Sequence, residues 1–185
     1  EASGPLLITH WGLSGPAVLK LSAFGARLLH EMNYEYNVRV NWLSVPFQQV
    51  LQVLQKLKKQ QSKKQMILRS PFEAITKRLW GRLVTSIDID SASRWADLSN
   101  KQLEALASQL TDGLYKASGK STFKDEFVTA GGVDLKEINF KRFESRKHKD
   151  LFFAGEVLNI DAVTGGFNFQ NAWTGGYIIG NVLAE

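Results

Sequence analysis

The chain has 185 residues, of which 44% are hydrophobic, and its mean hydropathy is −0.18, as expected for one large or two small globular domains. No apolar run approaches the roughly 20 residues of a membrane span, no signal-peptide pattern opens the chain, and the absence of Cys excludes disulfides and thiol chemistry. We therefore expect a cytoplasmic protein. Because the first residue is not Met, we also expect the chain to begin inside a longer protein.

The net charge of +5 is concentrated in two basic segments, KLKKQQSKK and KRFESRKHK. Surfaces that bind nucleic-acid strands usually alternate basic and aromatic residues, and neither segment does so. A solvated helix end and a surface loop are therefore the favoured interpretation, and nucleic acid is a less favoured partner. The basic residues concerned are Lys56, Lys58, Lys59, Lys63, Lys64, Lys141, Arg142, Arg146, Lys147 and Lys149.

The first 43 residues predict a strand, a helix and a second strand. Residues 5–9 are apolar enough for a short strand, and Pro16 occupies a position that suits the first turn of a helix over 16–31. Residues 34–43 alternate strictly between apolar and polar side chains, which predicts a strand with one buried and one wet face.

Residues 45–112 predict a helical subdomain. Pro46 begins a helix with one apolar stripe, and Ser70-Pro71-Phe72-Glu73 and Ser99-Asn100-Lys101-Gln102 both have the pattern of a capping box. A polar hairpin at 58–65 connects the first two helices. No segment in this region predicts a strand as clearly as 34–43 does.

After residue 113 the pattern predicts three short strands and one helix. The strands are 114–117, 127–129 and 151–154, and the last is expected to be fully buried because it is apolar throughout. The helix runs from about 166 to 184. The predicted fold is α+β, with a small mixed or antiparallel sheet and a helical subdomain.

Three glycine-marked turns are candidates for ligand binding. Ligands of open α/β sheets bind outside the carboxyl ends of strands, where Glu156 could accept hydrogen bonds from sugar hydroxyls. The amide groups of Gly165, Gly166 and Phe167 could face a pyrophosphate or a flavin carbonyl at a helix N-terminus. The equally weighted alternative is that the glycines serve only tight turns and close packing. The turns are Thr129-Ala130-Gly131-Gly132-Val133, Gly155-Glu156-Val157 and Thr164-Gly165-Gly166-Phe167-Asn168.

Two segments resemble the BaiN-like bacterial flavoproteins, also called the aminoacetone-oxidase-like family of NAD(P)/FAD-dependent oxidoreductases. They are GPLLITHWGLSGPAVLKLS and VTAGGVDLKEINFKRFESRKHKDLFFAGEVLNIDAVTGGFNFQNAWTGGYIIG, and the resemblance covers roughly 1–22 and 127–180. It implies a Rossmann segment that binds the ADP part of FAD, a barrel-like insert with helices, and a return of the chain to the FAD domain. The implied divisions are 1–44 (start of the insert), 45–112 (helical subdomain), 113–148 (return of the insert) and 149–185 (C-terminal part of the FAD-binding domain).

The resemblance also gives each turn a place around the flavin. It implies that Gly155 and Glu156 lie at the ribityl chain and pyrophosphate of FAD. It implies a helix start beneath the isoalloxazine, formed by Thr164, Gly165, Gly166, Phe167 and Asn168. It also implies a strand and turn at the border of the flavin, formed by Thr129, Gly131, Gly132 and Val133. No catalytic residue is indicated, and no spacing of His, Asp or Glu fits a metal site.

The phosphate-binding GxGxxG loop of such proteins is missing from this chain. We therefore expect a fragment of a flavin-dependent oxidoreductase that is inactive by itself and that contributes to an FAD site only in the full-length parent. The expected partners are the N-terminal Rossmann segment of the same protein and a small-molecule substrate, with NAD(P)H as electron donor. Apolar surface left uncovered by the missing half also makes a homodimer plausible.

An alternative function is a non-enzymatic binding module. In this hypothesis the basic patches dock a partner or a nucleic acid, and no flavin is bound. Salt-sensitive binding to nucleic acid would favour it.

Overall fold

The computed structural model describes residues 1–121, 128–163 and 165–185, and these residues confirm the α+β class. Five α-helices and six short strands are present in this part of the chain. In chain order they are β1 (Leu7–Ile8), β2 (Leu13–Ser14), α1 (Pro16–Glu31), β3 (Glu35–Val40), α2 (Phe47–Gln60), α3 (Lys77–Thr85), α4 (Asn100–Asp112), β4 (Gly113–Ser118), β5 (Ile138–Asn139), β6 (Glu144–Ser145) and α5 (Phe167–Ala184).

The strands pair two by two, as β1 with β2, β3 with β4, and β5 with β6. The first and last pairs are antiparallel, with Leu7 opposite Ser14 and Ile138 opposite Ser145. Within the described residues none of these sheets closes into a barrel. The chain divides into two compact units, one formed by Glu1–Tyr36 with Ser118–Glu185 and the other by Asn37–Ala117.

The unit Asn37–Ala117 has a dense apolar core between α2, α3 and α4. Trp80 is completely buried there, stacks on Trp95 with 6.4 Å between the ring centroids, and donates a hydrogen bond from Nε1 to the Met66 carbonyl at 2.8 Å. The polar end of the indole is thereby satisfied inside the core, as a buried Trp requires. The fully buried aliphatic side chains around it include Leu54, Leu103, Leu106 and Leu110.

Helix caps explain where two of these helices begin. Ser99 and Gln102 form the predicted capping box, in which the Ser99 hydroxyl accepts from the Gln102 N–H and the Gln102 side chain accepts from the Ser99 N–H. The capping box predicted at Ser70 is wrong. The Ser70 hydroxyl accepts from the Phe72 N–H instead, in a local turn, and Thr76 caps a helix that begins only at Lys77.

The unit Glu1–Tyr36 with Ser118–Glu185 contains α1, α5 and two short sheets. Helix α1 has the predicted bounds, and α5 begins at Phe167 as expected. Gly175 of α5 packs against Phe143 and Ala154, because a Cβ there would lie only 3.0 Å from Phe143 and 3.1 Å from Ala154. This tight contact leaves no room for a side chain at position 175.

Two strand predictions in this unit need correction. The fully buried strand at 151–154 is absent: Leu151 is exposed, and Phe152 forms an isolated bridge with Glu144 instead. The predicted strand at 127–129 lies partly outside the described residues, and Val128 and Thr129 are not in a strand. Among the described residues the pairing of 151–154 is limited to this bridge, where the Ser145 N–H donates to the Leu151 carbonyl at 2.7 Å and the Phe153 N–H donates to the Phe143 carbonyl at 3.0 Å.

A search of the described residues for a membrane-spanning helix finds none that is both long and apolar enough.

Candidate functional site

Two of the three predicted turns lie side by side in the structure. Val133 and Leu158 form an isolated parallel bridge, in which the Val133 N–H donates to the Val157 carbonyl at 2.9 Å and the Asn159 N–H donates to the Val133 carbonyl at 3.0 Å. Because the pairing is parallel, the residues that precede each partner lie at the same end. The bridge therefore places Gly131 and Gly132 beside the turn Gly155–Val157.

Gly132 has a structural reason to be glycine. Its φ is +128°, and a Cβ would lie 2.5 Å from the Val157 carbonyl oxygen and 2.7 Å from the Leu158 carbonyl carbon. Both atoms belong to the backbone and cannot move aside. The close approach of the two turns thus depends on this position.

Other glycines of the predicted site face open space. Gly131, Gly165 and Gly166 have φ of +125°, +129° and +95°, so each favours glycine, yet no non-neighbouring atom of the described residues lies within 4 Å of a Cβ built on any of them. Their missing side chains leave backbone surface that a ligand can approach. Gly155 is intermediate, with φ +79° and a Cβ position 3.7 Å from Ala172 of α5.

The beginning of α5 is open to an oxygen ligand. Gly166 occupies the N-cap in a left-handed conformation, no described side chain caps the helix, and its first turn contains no acidic residue. Helix N-termini of this kind attract anions and carbonyl oxygens. Asn168 points backwards: its side-chain oxygen accepts from the Ala162 N–H and its amide donates to the Ala162 carbonyl, both at 3.0 Å. Thr164 lies outside the described residues.

Asn168 therefore fixes the loop before α5 through its side chain, and it lies in the first turn of the helix. Glu156 and Thr129 are exposed, and Glu156 forms no ion pair among the described residues. Phe167 is 64% exposed at the helix start. The structure thus brings together the Gly131–Val133 and Gly155–Val157 turns, and it joins the second turn to α5 through Gly155 and Ala172.

The sequence analysis missed Arg27 of α1. Its guanidinium donates to the Asn159 side chain and forms an ion pair with Asp161 at 3.8 Å. These residues line an open cleft of about 400 Å³ together with Ala23 and Phe24. A single sequence offers no signal for a contact between positions 132 residues apart.

Helix α5 also carries an exposed aromatic stripe. Phe169, Trp173 and Tyr177 follow one another at intervals of four residues, and 66%, 69% and 74% of their respective surfaces are exposed. Phe169 and Trp173 stack with 6.0 Å between ring centroids. Uncovered apolar surface of this kind marks an interaction site.

No group of three or more metal-ligating side chains occurs in the part of the chain that the structure describes. The chemistry available at the candidate site is thus hydrogen bonding from backbone amides, a helix dipole and an exposed carboxylate. These are the groups that hold the phosphates, sugar hydroxyls and carbonyl oxygens of a nucleotide cofactor.

Comparison with known proteins finds three curated relatives of similar identity. It is 34% identical over 181 residues to a ribosomal RNA dihydrouridine synthase of Escherichia coli, 31% identical over 172 residues to that of Haemophilus influenzae, and 30% identical over 187 residues to a 3-dehydro-bile acid delta(4,6)-reductase of Clostridium scindens. The matches cover 91%, 93% and 100% of this chain but only 40%, 40% and 45% of the relatives. The chain thus spans less than half the length of the curated relatives it matches.

Residues 1–128 match the family described as the HI0933-like protein barrel and H2TH domain. The match includes all of the unit Asn37–Ala117 and the N-terminal part of the other unit. More than half of the chain is covered. The chain belongs to the HI0933-like family.

Proposed function

We propose that this chain is part of a flavin-dependent reductase, to which it contributes the insert and the C-terminal half of an FAD site. The observation that carries the proposal is the parallel bridge between Val133 and Leu158, which sets two glycine turns side by side next to the start of α5. The resemblance to BaiN-like flavoproteins supports it. In this proposal a Rossmann segment outside the given chain completes the site, in keeping with the chain's span of less than half of its relatives' length.

The residues present fit a flavin nucleotide. Gly165 and Gly166 leave open space at an uncapped helix N-terminus, where the positive end of the dipole would stabilise a flavin carbonyl or pyrophosphate oxygen. Glu156 would accept hydrogen bonds from ribityl hydroxyls, and Gly131 would allow the flavin to approach the backbone. When bound, the flavin supplies hydride transfer, and the chain orients it and excludes water.

For the reaction we propose the reduction of a carbon–carbon double bond. Dihydrouridine is uridine with one double bond of its ring reduced, and a delta(4,6)-reductase is named for double bonds as well. The names of all three relatives are therefore consistent with one chemistry, in which a hydride and a proton add across a double bond. Because two of the relatives are named for ribosomal RNA, uridine in RNA is the substrate we propose, with NAD(P)H as the donor that reduces the flavin.

FAD titration followed by flavin fluorescence tests the cofactor. We expect the full-length protein to bind FAD and this chain by itself to bind it weakly, because only half of the site is present. In the full-length protein, Gly165→Asp places a negative charge where the helix dipole would hold a flavin oxygen and should weaken FAD binding at least about tenfold. The matched control is Gly176→Asp, in the middle of α5, where a Cβ also meets open space.

Three results of this experiment are informative. A full-length protein that purifies without flavin and does not bind FAD contradicts the proposal. Tight binding by this chain alone would show that the site is complete without the missing segment. Equal loss of affinity in the two variants would remove the N-terminus of α5 from the site.

A further inference from the structure

The outward face of α3 forms a basic cleft in the unit Asn37–Ala117. Lys77, Arg78, Gly81, Arg82 and Thr85 line one side of an open cleft of about 560 Å³. Their spacing of one, three or four residues places them on one face of the helix. The other side is formed by the segment Ile67-Leu68, which is partly exposed.

The core of the unit fixes both walls of this cleft. Trp80, Leu83 and Val84 are the buried face of α3, so the basic residues necessarily point to solvent. The hydrogen bond from Trp80 to the Met66 carbonyl holds the chain immediately before Ile67. Gly81 faces Ile67, and its Cβ position lies 3.6 Å from the Ile67 side chain. Both walls of the cleft are therefore anchored to the buried core of this unit.

The cations of the cleft are not neutralised by the protein. Across the described ranges 1–121, 128–163 and 165–185, no carboxylate forms an ion pair with Lys77, Arg78 or Arg82. The surrounding unit contains thirteen Lys and Arg but only six Asp and Glu, so the excess positive charge of the chain lies here. A basic surface whose guanidinium groups form no ion pair with the described residues is suited to a polyanion.

We propose that the α3 cleft binds the phosphate backbone of the RNA substrate. Arg78 and Arg82 are one helical turn apart, so each guanidinium can hold the oxygens of a different phosphate. Gly81 lies between them and packs against Ile67, which holds the two walls of the cleft together. Leu68 offers apolar surface to a ribose or the edge of a base. The inference depends on the proposed function for its choice of RNA as the polyanion.

The cleft differs from the basic segment at the end of α2, which the sequence analysis singled out. There Lys58 already donates a hydrogen bond to the Leu98 carbonyl, and the neighbouring lysines do not line the α3 cleft. Lysine carries a point charge on a flexible chain, whereas the guanidinium groups of Arg78 and Arg82 each present several donors in one rigid plane. We therefore assign the RNA contact to α3.

A binding experiment tests this assignment directly. The probe is a fluorescein-labelled RNA hairpin with a uridine-rich loop, titrated with the 185-residue chain at several salt concentrations and followed by fluorescence polarisation. The triple variant Lys77→Gln/Arg78→Gln/Arg82→Gln should bind at least about tenfold more weakly, and the slope of log K against log salt should fall by about 2–3, close to one for each lost phosphate contact.

The matched control removes the same charge from the other unit. Lys136, Lys141 and Lys149 are exposed, and none of the ion pairs among the described residues includes them. Their replacement by Gln should change affinity and slope much less than the α3 variant does. Equal losses in both triple variants, no loss in the α3 variant, or no binding of the hairpin by the wild-type chain would each overturn the inference.

A second measurement needs no substitution. Bound RNA should protect Lys77 from an amine-reactive reagent, while Lys149 should react at the same rate with and without RNA. Mass spectrometry of peptides from the labelled protein gives both rates. Unchanged labelling of Lys77 in saturating RNA would contradict the assignment even if the triple variant failed to fold.

The full-length protein separates this inference from the proposed function. If it reduces uridine in RNA, the α3 variant should show a raised KM for RNA and an unchanged FAD content. If uridine is reduced with a wild-type KM in that variant, the α3 assignment fails and the reductase stands. If FAD binds but uridine is not reduced, the proposed substrate fails, and the hairpin titration still decides whether α3 binds RNA.

Discussion

The two units of this chain bury their apolar residues to very different degrees. Among the described residues, one cluster of fourteen buried hydrophobic side chains fills the unit Asn37–Ala117, whereas the cluster between α5 and its neighbours has three. The first unit is basic, and we call it the closed unit because its apolar residues are buried and its charged side chains lie on the surface. The second carries long helices whose apolar side chains remain in solvent, Phe24 and Trp173 among them.

The difference separates a unit that covers its own apolar residues from one that leaves many of them exposed. A unit that buries its own apolar face needs no partner to be stable, and its surface is free to evolve charge for binding. A helix that leaves an aromatic stripe exposed has a face that some other surface covers. The proposed cover for α5 is the remaining part of the full-length protein together with the bound flavin.

Two tryptophans give the largest contrast between the units. Trp80→Ala should cost about 3–5 kcal/mol of unfolding free energy, because it opens a cavity beside Trp95 and leaves the Met66 carbonyl without its donor. The control Trp173→Ala removes the same type of side chain from a site that is 69% exposed. It should change the unfolding free energy by no more than about 0.5 kcal/mol. Urea unfolding followed by circular dichroism measures both, since it does not depend on indole fluorescence.

Comparable losses in the two variants would contradict the contrast, because Trp173 would then belong to a core. In the longer protein that we propose, the same two substitutions sharpen this contrast. There Trp173→Ala should become destabilising if the missing part of the protein covers α5. The effect of Trp80→Ala should stay the same in both proteins.

Two adjacent glycines give the next largest expected effect on stability, within the unit Glu1–Tyr36 with Ser118–Glu185. Gly132→Ala should cost about 2–3 kcal/mol locally, because its φ of +128° is strained for Ala and the new Cβ would lie 2.5 Å from the Val157 oxygen. Gly131→Ala has a similar φ of +125° but open space, so only about 1 kcal/mol of backbone strain is expected.

Hydrogen exchange at the Val133 and Asn159 amides measures this directly. Both amides donate across the parallel bridge, so Gly132→Ala should accelerate their exchange far more than Gly131→Ala does. Equal acceleration would mean that the turns do not approach each other as closely as the bridge requires.

Local sequence signals predicted the helices of both units well. Pro16 and the Ser99–Gln102 capping box determine how α1 and α4 begin through groups within four residues, so a single sequence contains the information. Ser70 shows the limit of the same reasoning. A Ser hydroxyl can cap a helix or accept a hydrogen bond in a local turn, and the Ser70 hydroxyl accepts from the Phe72 N–H in a turn.

The candidate site was only partly predictable. The positions of the three turns came from glycine spacing, but spacing does not distinguish Gly132, which a backbone contact requires, from Gly165, which faces open space. The role of Arg27 depends on a contact with Asn159 and Asp161 that exists only after folding. The α3 cleft was missed because its basic residues are interrupted by Leu79 and Trp80, so no run of charge marks it in the sequence.

Tyr115 gives the smallest effect, as a pH dependence confined to the closed unit. Burial raises the pKa of its phenol above the usual value, and this outweighs the hydrogen bonds that its oxygen accepts from Trp42 and Gln109, both at 3.0 Å. Because the folded state holds this proton more tightly than the unfolded state, the stabilisation is complete below the unfolded pKa of about 10 and is lost as pH rises towards the folded pKa. Urea unfolding between neutral pH and strongly alkaline pH should therefore show a fall in stability that Tyr115→Phe reduces. The control Tyr177→Phe lies on the exposed face of α5 and should not change this fall in stability. If stability falls equally with pH in both variants, a group other than Tyr115 titrates.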